Sequence, residues 1–386
     1  VFLPVLVLFW QDNGLNMFDV FLLQGLFAIS AVILEVPTGM VADRMGKRAS
    51  LLMAQILFTV GIAYYAMGHG FWSFLLAEIV LAVGVALLSG ADTALLFDTL
   101  KALKREDEYT RWEGETRGIQ MAAFAIANLV GGFLGAYSLR ATVWASAIGP
   151  FIALFIVYRL KEVQERRVPR SLAEAASDYS TLIRQSLKFV SRHRLVQWQV
   201  AFMAVLMGSS AWLLWLYQPY MEFVGLPIWF FGVAFAIFNL FAAFMSRFAH
   251  VFDKKLGQTG AIAGLMLLQT APLALLALII GPASFVFILG QQAVRGLSRP
   301  IISNRILQYT YADKRATVLS ISALSARLFF GLTAPIIGLA AHYFTMEQSL
   351  LFQLAILVVL FGLLLVAYGR IPPKYFQVKK EVTENQ

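Results

Sequence analysis

Four ionisable side chains stand inside apolar runs: Glu35 in "AVILEVP", Glu78 in "FLLAEIVLAVG", Asp92 in "LLSGADTALL" and Arg295 in "GQQAVRGLSRP". A carboxyl group in such surroundings exchanges a proton, holds a partner, or faces water in a cavity. A guanidinium there presents fixed, paired donors that suit a carboxylate or a phosphate. Arg295 has polar company, since Gln291, Gln292, Ser298 and Arg299 lie within three helical turns of one another. Gln291, Arg295 and either Ser298 or Arg299 fall on one helical face. Two readings stay open for this group: a substrate or coupling role, or structural pairing of Arg295 with Glu78 or Asp92. For Glu78 the choice lies between coupling or substrate binding and hydrogen bonds that pack helices.

Such chemistry needs elements that hold it in a membrane. The 386 residues are 59% hydrophobic and 14% charged, where a soluble domain is nearer a quarter charged. Apolar runs of about 20 residues, enough to cross a bilayer, recur along the chain. Continuous runs rather than alternating ten-residue strands exclude a transmembrane barrel. The pattern predicts an all-α polytopic membrane protein with helices at about 1–10, 18–42, 49–67, 71–99, 112–138, 141–160, 195–217, 229–250, 259–280, 284–308, 315–342 and 347–368. "VFLPVLVLFW" reaches only roughly half a bilayer, so the numbering is expected to begin inside the first helix, about ten residues short.

There are no cysteines, which excludes disulfides and thiolate chemistry. Four histidines without clustering offer no metal site, and no P-loop or enzyme motif is present, so neither ATP nor a cofactor is expected to drive the protein. The net charge of +9 could suggest nucleic acid. However, nearly every Lys and Arg falls in alternate linkers ("DRMGKR", "KALKREDEYTR", 159–194, "DKKLGQ", "YADKR" and the tail), with Arg140 the clear exception. That is the positive-inside pattern, so those linkers and both termini are expected on the cytoplasmic side, with no nucleic-acid partner.

The long polar stretch divides the helices six and six. The expected organisation is an N-terminal six-helix bundle at 1–160, a cytoplasmic linker at 161–194, a C-terminal six-helix bundle at 195–370 and a tail at 371–386. The linker's "YSTLIRQSLKFVSRHRLVQW" has helical spacing and could lie on the membrane surface or stand as a solvated linker helix. The halves also repeat. "GKRASLLMAQ" at Gly46 matches "GQTGAIAGLM" at Gly257, and "VGVALLSGAD" around Gly84 matches "RGLSRPIISN" around Gly296, at offsets of 211 and 212. Duplicated six-helix units are a transporter architecture with the substrate between them.

The loop "GMVADRMGKR" resembles the signature of the major facilitator superfamily (MFS) between its second and third helices. Gly39, Asp43, Arg44, Gly46, Lys47 and Arg48 fit that pattern one by one. The resemblance covers the whole chain. It implies the MFS fold of 12 transmembrane helices, alternating access, and a small-molecule substrate held between two halves. "GADTALLFDTLK" in the fourth helix and "RATVLSISAL" entering the eleventh resemble a bacterial branch of efflux and metabolite transporters.

Within that frame Gly39 is expected to let helices approach closely, and Asp43 to face the N-terminus of the eleventh helix near residues 316–318 as a latch. The matching second loop has Lys254 where Asp43 would fall, so its latch is read as lost or altered. Glu35 lies eight residues before Asp43, roughly 12 Å deeper. A pair with Arg327, a proton site, or cavity water are its three readings. The drug-exporting branches often carry an arginine where this chain has Val80, a departure from their proton relay; Glu78 could substitute as a titrating group or serve in helix-packing hydrogen bonds. Asp92 and Asp98 are expected to join Glu113, Glu115, Arg117, Arg44 and Arg48 in a charge cluster, with Asp92 the deepest. Trp212, Trp215, Tyr217 and Tyr220 read mostly as interfacial aromatics; Trp212, Tyr217 or Gln218 could instead line the cavity. Asn128 and Asn239 read as helix glue, and "NLVGGFLG" loosely resembles an antiporter signature without its Gly-Pro pair.

The expectation is a secondary active transporter, monomeric, in the bacterial inner membrane, exchanging a small organic molecule for protons in the direction of efflux. The alternative is uptake or export of an anionic metabolite such as a carboxylate siderophore. A sensor would usually append a soluble domain, and an enzyme would need a catalytic set.

Overall fold

A computed structural model describes residues 1–161, 181, 184, 188–311 and 314–376. Most of the predicted 161–194 linker and the tail from 377 lie outside the described residues. Among the described residues the chain is helical without strands. Ten helical stretches are long and apolar enough to cross a membrane. Leu3–Asp12 is apolar but short. Ile288–Gln308 is long enough but carries Arg295, Arg299 and Arg305 along with three glutamines, which explains its lower hydropathy.

The chain divides into two compact units. The first comprises 1–176 with 226–237, and the second 177–225 with 238–386. In the first unit, α1 (Leu6–Asp12), α2 (Met17–Met45), α3 (Lys47–Met67), α4 (Gly70–Leu88), α5 (Ala91–Ala102), α6 (Tyr109–Tyr137) and α7 (Leu139–Arg159) follow in order. Helix α4 packs on α2 and α3, and α3 also packs on α7. The second unit begins with α8 (Arg194–Phe223). Helix α9 (Ile228–Arg247) divides between the units after residue 237. The second unit then continues with α10 (Ala249–Leu278), α11 (Ile288–Gln308), α12 (Arg315–Tyr343) and α13 (Met346–Gly369). There α8 packs on α12 and α11, and α10 on α11 and α13.

Each helix follows from composition. The apolar faces that no neighbour covers, such as Ile148, Phe151, Ile152 and Phe155 on α7, suit lipid rather than water. Pro37, Pro150, Pro219, Pro272, Pro300 and Pro335 sit inside helices. Membrane helices tolerate this because neighbours can satisfy the freed carbonyls.

Three boundaries differ from the sequence pattern. The predicted 71–99 helix breaks at Ser89 and Gly90, where Gly90 takes a left-handed φ of 77°, so Asp92 falls in the first turn of a new helix. The hydropathy run continues across the break and hides it. The predicted 195–217 helix extends through Pro219 to Phe223. The predicted 284–308 helix starts as a 3₁₀ segment, Pro282–Phe287, before α11. The repeat has a structural counterpart at its first matched pair, since Gly46 (φ 93°) and Gly257 (φ 65°) both turn the chain with positive φ. Only glycine adopts such angles without strain.

One crossing in the first unit is unusually close. A Cβ placed on Gly132 of α6 would lie 2.5 Å from the backbone nitrogen of Gly232 and 2.6 Å from the carbonyl oxygen of Trp229 on α9. Beside it the rings of Phe133 and Trp229 stack at 5.9 Å with 14° between planes. The two glycines let backbones touch where any side chain would hold them apart.

Candidate functional site

The first unit encloses Glu78 in a chain of neutral donors. Glu78 is 5% exposed on α4. Gln24 Nε2 on α2 donates to its Oε1 at 2.9 Å, and the Tyr65 hydroxyl on α3 donates to the same oxygen at 3.1 Å. Trp10 Nε1 on α1 donates to the Tyr65 oxygen. Four helices thus contribute one residue each, and all four side chains are buried. The Tyr65 ring stacks on Phe74 at 5.0 Å, and Phe9 stands edge-on to Phe74 at 5.5 Å, so an aromatic wall excludes water around the carboxyl. No cation pairs with Glu78 among the described residues, and its hydrogen-bond partners there are both neutral. Such a group can change its charge by gaining a proton without breaking an ion pair.

Arg140, the exception to the charge pattern, ties this region together at one end of the unit. It donates to Asn13 Oδ1 at 2.5 Å, to the Ala66 carbonyl at 2.5 Å and to the Gly68 carbonyl at 3.4 Å, lies 3.0 Å from His69 Nε2, and sits 5.5 Å over the Phe9 ring. It therefore joins the end of α1, the end of α3 and the start of α7. Replacing Arg140 with alanine is expected to cost about 1.5–3 kcal/mol, the range for a hydrogen bond to a charged group. The thermal unfolding midpoint of the purified protein measures it. Arg140→Lys should recover less than half, because one ammonium cannot span the acceptors that the guanidinium reaches.

At the opposite end, Lys47 forms an ion pair with Asp98 and donates to the Ala94 carbonyl at 3.3 Å. Arg48 caps the end of α7, donating to the carbonyls of Tyr158 and Val157, with its guanidinium 5.6 Å over the Tyr158 ring. Arg117 pairs with Glu113 and Arg111 with Glu115, each at 3.0 Å along α6. The expected single cluster is therefore several separate pairs. Asp92, expected to be deepest, is exposed and accepts from the Thr93 backbone N–H at 2.8 Å, because the break at Gly90 turns it to the start of α5. Asp43 and Arg44 close α2, but their side chains lie outside the described residues. Gly39 is exposed and a Cβ there would meet nothing within 4 Å, so the expected close approach is not seen among the described residues. Glu35 is half-buried on α2 in the first unit and Arg327 exposed on α12 in the second.

The second unit holds the other predicted group. Gln292 Nε2 donates to the Tyr217 hydroxyl at 2.9 Å, and Arg295 Nη1 donates to Gln292 Oε1 at 2.8 Å. Gln291 turns elsewhere: its Nε2 donates to the Gln269 carbonyl at 3.2 Å, and Gln269 bonds Ser209 and Ser210 at 2.9 and 3.1 Å. Gln291 Oε1 is buried without a partner among the described residues. Ser298 donates to Met207 Sδ at 3.0 Å, and Arg299 is exposed. Trp212 and Tyr217 are each 1% exposed, so neither is an interfacial anchor. Trp212 Nε1 donates to Thr333 Oγ1 at 2.9 Å and its ring stacks on Phe329 at 5.6 Å.

The second unit has an ion pair beside Lys254, the position that matches Asp43. Asp253, one residue before Lys254, pairs with Arg305, which also donates to the Gln258 carbonyl at 3.1 Å and the Gly257 carbonyl at 3.4 Å. The acid sits one place earlier than a strict match with Asp43 would put it.

Residues Trp10, Gln24 and Tyr65 escaped sequence analysis. Their partner was visible, but three separate helices supply them, and no spacing in one segment marks such a meeting.

Comparison with known proteins identifies the family and the fold. Residues 1–308 match the family model of the Major Facilitator Superfamily. The chain is similar to "Quinolone resistance protein NorA" of Staphylococcus aureus (strain MRSA252), 28% identical over 148 residues, 38% of this chain and 37% of that protein. That match thus spans little more than a third of the relative. "Tetracycline resistance protein, class E" of Escherichia coli is 26% identical over 314 residues, 79% of this chain and 75% of that protein. Among solved structures, the nucleoside transporter NupG aligns with a TM-score of 0.80 at 12% identity, covering 96% of this chain and 95% of that one. The D-xylose-proton symporter aligns at 0.65 and 15% identity, covering 92% and 91%. At such identities the structures show the fold alone.

Proposed function

The chain belongs to the Major Facilitator Superfamily and is a multi-pass membrane transporter rather than an enzyme, and from that premise we propose that it exports a small organic molecule by alternating access in exchange for protons. The observation that carries the coupling is Glu78, a buried carboxyl held by the neutral donors Gln24 and Tyr65. A carboxyl with a charged partner would resist neutralisation, whereas this one can take up a proton and keep its hydrogen bonds. The resistance functions in the names of the two relatives favour export and an amphipathic substrate.

In this reading the protein works as a monomer in the bacterial inner membrane with both termini cytoplasmic. Units close to 1–160 and 195–370 rock about the substrate, joined by 161–194, with 371–386 as a tail. Gly39, Asp43, Arg44, Gly46, Lys47 and Arg48 form the gating loop, and Glu35 with Arg327 an intramembrane pair. Asp92, Gln291, Gln292, Arg299, Trp212 and Tyr217 remain binding or coupling residues by proposal.

The test uses proteoliposomes with an imposed pH gradient and two probes taken from the relatives' names, a fluorescent quinolone and tetracycline. Gradient-driven accumulation on the proton-rich side, abolished by a protonophore, is the expected result. Flux equal to that of empty liposomes for both probes would overturn export of this compound class. The second reading, transport of an anionic metabolite, is favoured by Arg295 and its surroundings.

A further inference from the structure

Two arginines on α11 of the second unit are treated in opposite ways. Arg305 is 8% exposed and fully engaged, with the Asp253 carboxylate and the Gln258 and Gly257 carbonyls as acceptors. Arg295, ten residues earlier, is half-buried, and its one hydrogen bond among the described residues is the 2.8 Å contact to Gln292. No carboxylate of a described residue lies within ion-pair distance of it. A guanidinium carries five N–H donors in a rigid fork, so most of this fork is unspent. A cation left so within a membrane-spanning unit is costly, and such residues mark substrate paths.

The neighbourhood fixes where the fork points without neutralising it. Gln292 is fully buried and spends both ends of its amide, accepting from Arg295 and donating to Tyr217. Tyr217 in turn lies 5.5 Å from the Phe238 ring, and Phe238 lies 6.5 Å from Phe285. An uncharged positioning chain beside aromatic rings holds the guanidinium in place and keeps its charge available. A carboxylate matches the fork with two parallel hydrogen bonds.

We propose that Arg295 is the anchor of an anion subsite in the second unit that takes the carboxylate of a small organic acid, with Gln292 and Tyr217 as its positioning residues. The subsite deepens the transporter reading and rests on it for its role. Its existence is measured by binding alone.

The experiment uses the full chain, purified and placed in nanodiscs of phosphatidylcholine, with 1-naphthoate and its methyl ester as matched probes. Thermal unfolding is followed against probe concentration, since a ligand of the folded state raises the midpoint. Naphthoate is expected to stabilise the protein in a saturable manner, and the ester is not. Arg295→Gln should weaken naphthoate at least about 10-fold, the effect of losing a charge-assisted pair. Arg295→Lys should fall between, keeping the charge without the fork. Arg305→Gln guards against a general loss of fold: it should lower the starting midpoint and leave the naphthoate affinity unchanged.

Equal binding of acid and ester, undiminished binding in Arg295→Gln, or no binding of the acid would each overturn the subsite. Adding phosphatidylglycerol to the nanodiscs separates the remaining source of anions. If that lipid stabilises the protein through Arg295 and naphthoate does not, the occupant is a headgroup phosphate and the carboxylate assignment falls. Failure of gradient-driven flux would remove proton coupling while leaving these binding results as they stand, so the two readings fail separately.

Discussion

Replacing Glu78 with glutamine is expected to reduce pH-gradient-driven flux to the level of passive leak while the protein stays folded. The side chains are nearly isosteric, and an amide oxygen at the Oε1 position can still accept from Gln24 and Tyr65, which reach Glu78 at 2.9 and 3.1 Å. The stability change should stay within about 1 kcal/mol, the scale of one neutral hydrogen bond exchanged for another. What disappears is the proton. Flux in reconstituted liposomes, with and without the gradient, separates the two effects: exchange of labelled for unlabelled probe at equal pH should persist. Gradient-driven flux in Glu78→Gln at the original rate would move the coupling group to Glu35 or Asp92.

The second large effect is on stability. Gly132→Ala should lower the unfolding free energy by about 1–3 kcal/mol, toward the upper end of the range for overpacking. The added methyl meets backbone, the Gly232 nitrogen and the Trp229 carbonyl, and a backbone cannot change rotamer to make room. Gly362→Ala on α13 is the control. A Cβ there meets nothing within 4 Å, so relief of glycine's helix penalty should stabilise by about 0.5–1 kcal/mol. Midpoints of thermal unfolding in one detergent decide the matter, and equal shifts in the two variants would refute the close crossing.

The fold was largely legible because a bilayer leaves few options. Apolar runs of sufficient length must be helices, and the motif at Gly39 to Arg48 gave the family that residues 1–308 match. What was not legible depends on meetings between helices. Glu78 could be singled out as an anomaly in an apolar run, yet nothing in the run names Gln24 or Tyr65. The "NLVGGFLG" stretch was noticed for its resemblance, and the structure gives its second glycine a use that needs Gly232, a hundred residues on. The break at Gly90 was missed because hydropathy averages over it. The Asp253–Arg305 pair was missed because aligning the halves by identity compares Asp43 with Lys254 and passes over a neighbour. In each case the missing information is a distance rather than a residue type.

Trp10 sets a polarity on the chain that ends at Glu78. An indole N–H can give a hydrogen and has no lone pair with which to take one. It occupies the Tyr65 oxygen, so the phenol hydrogen is committed to Glu78 Oε1. A proton wire requires every link both to receive and to release, and this one has a terminus that cannot receive. Protons reaching Glu78 therefore have no exit through Tyr65 and Trp10 toward α1. The side of the carboxyl bonded to Tyr65 and Gln24 acts as a seal, so under the proposed coupling Oε2 would be the oxygen that takes up and gives up the proton.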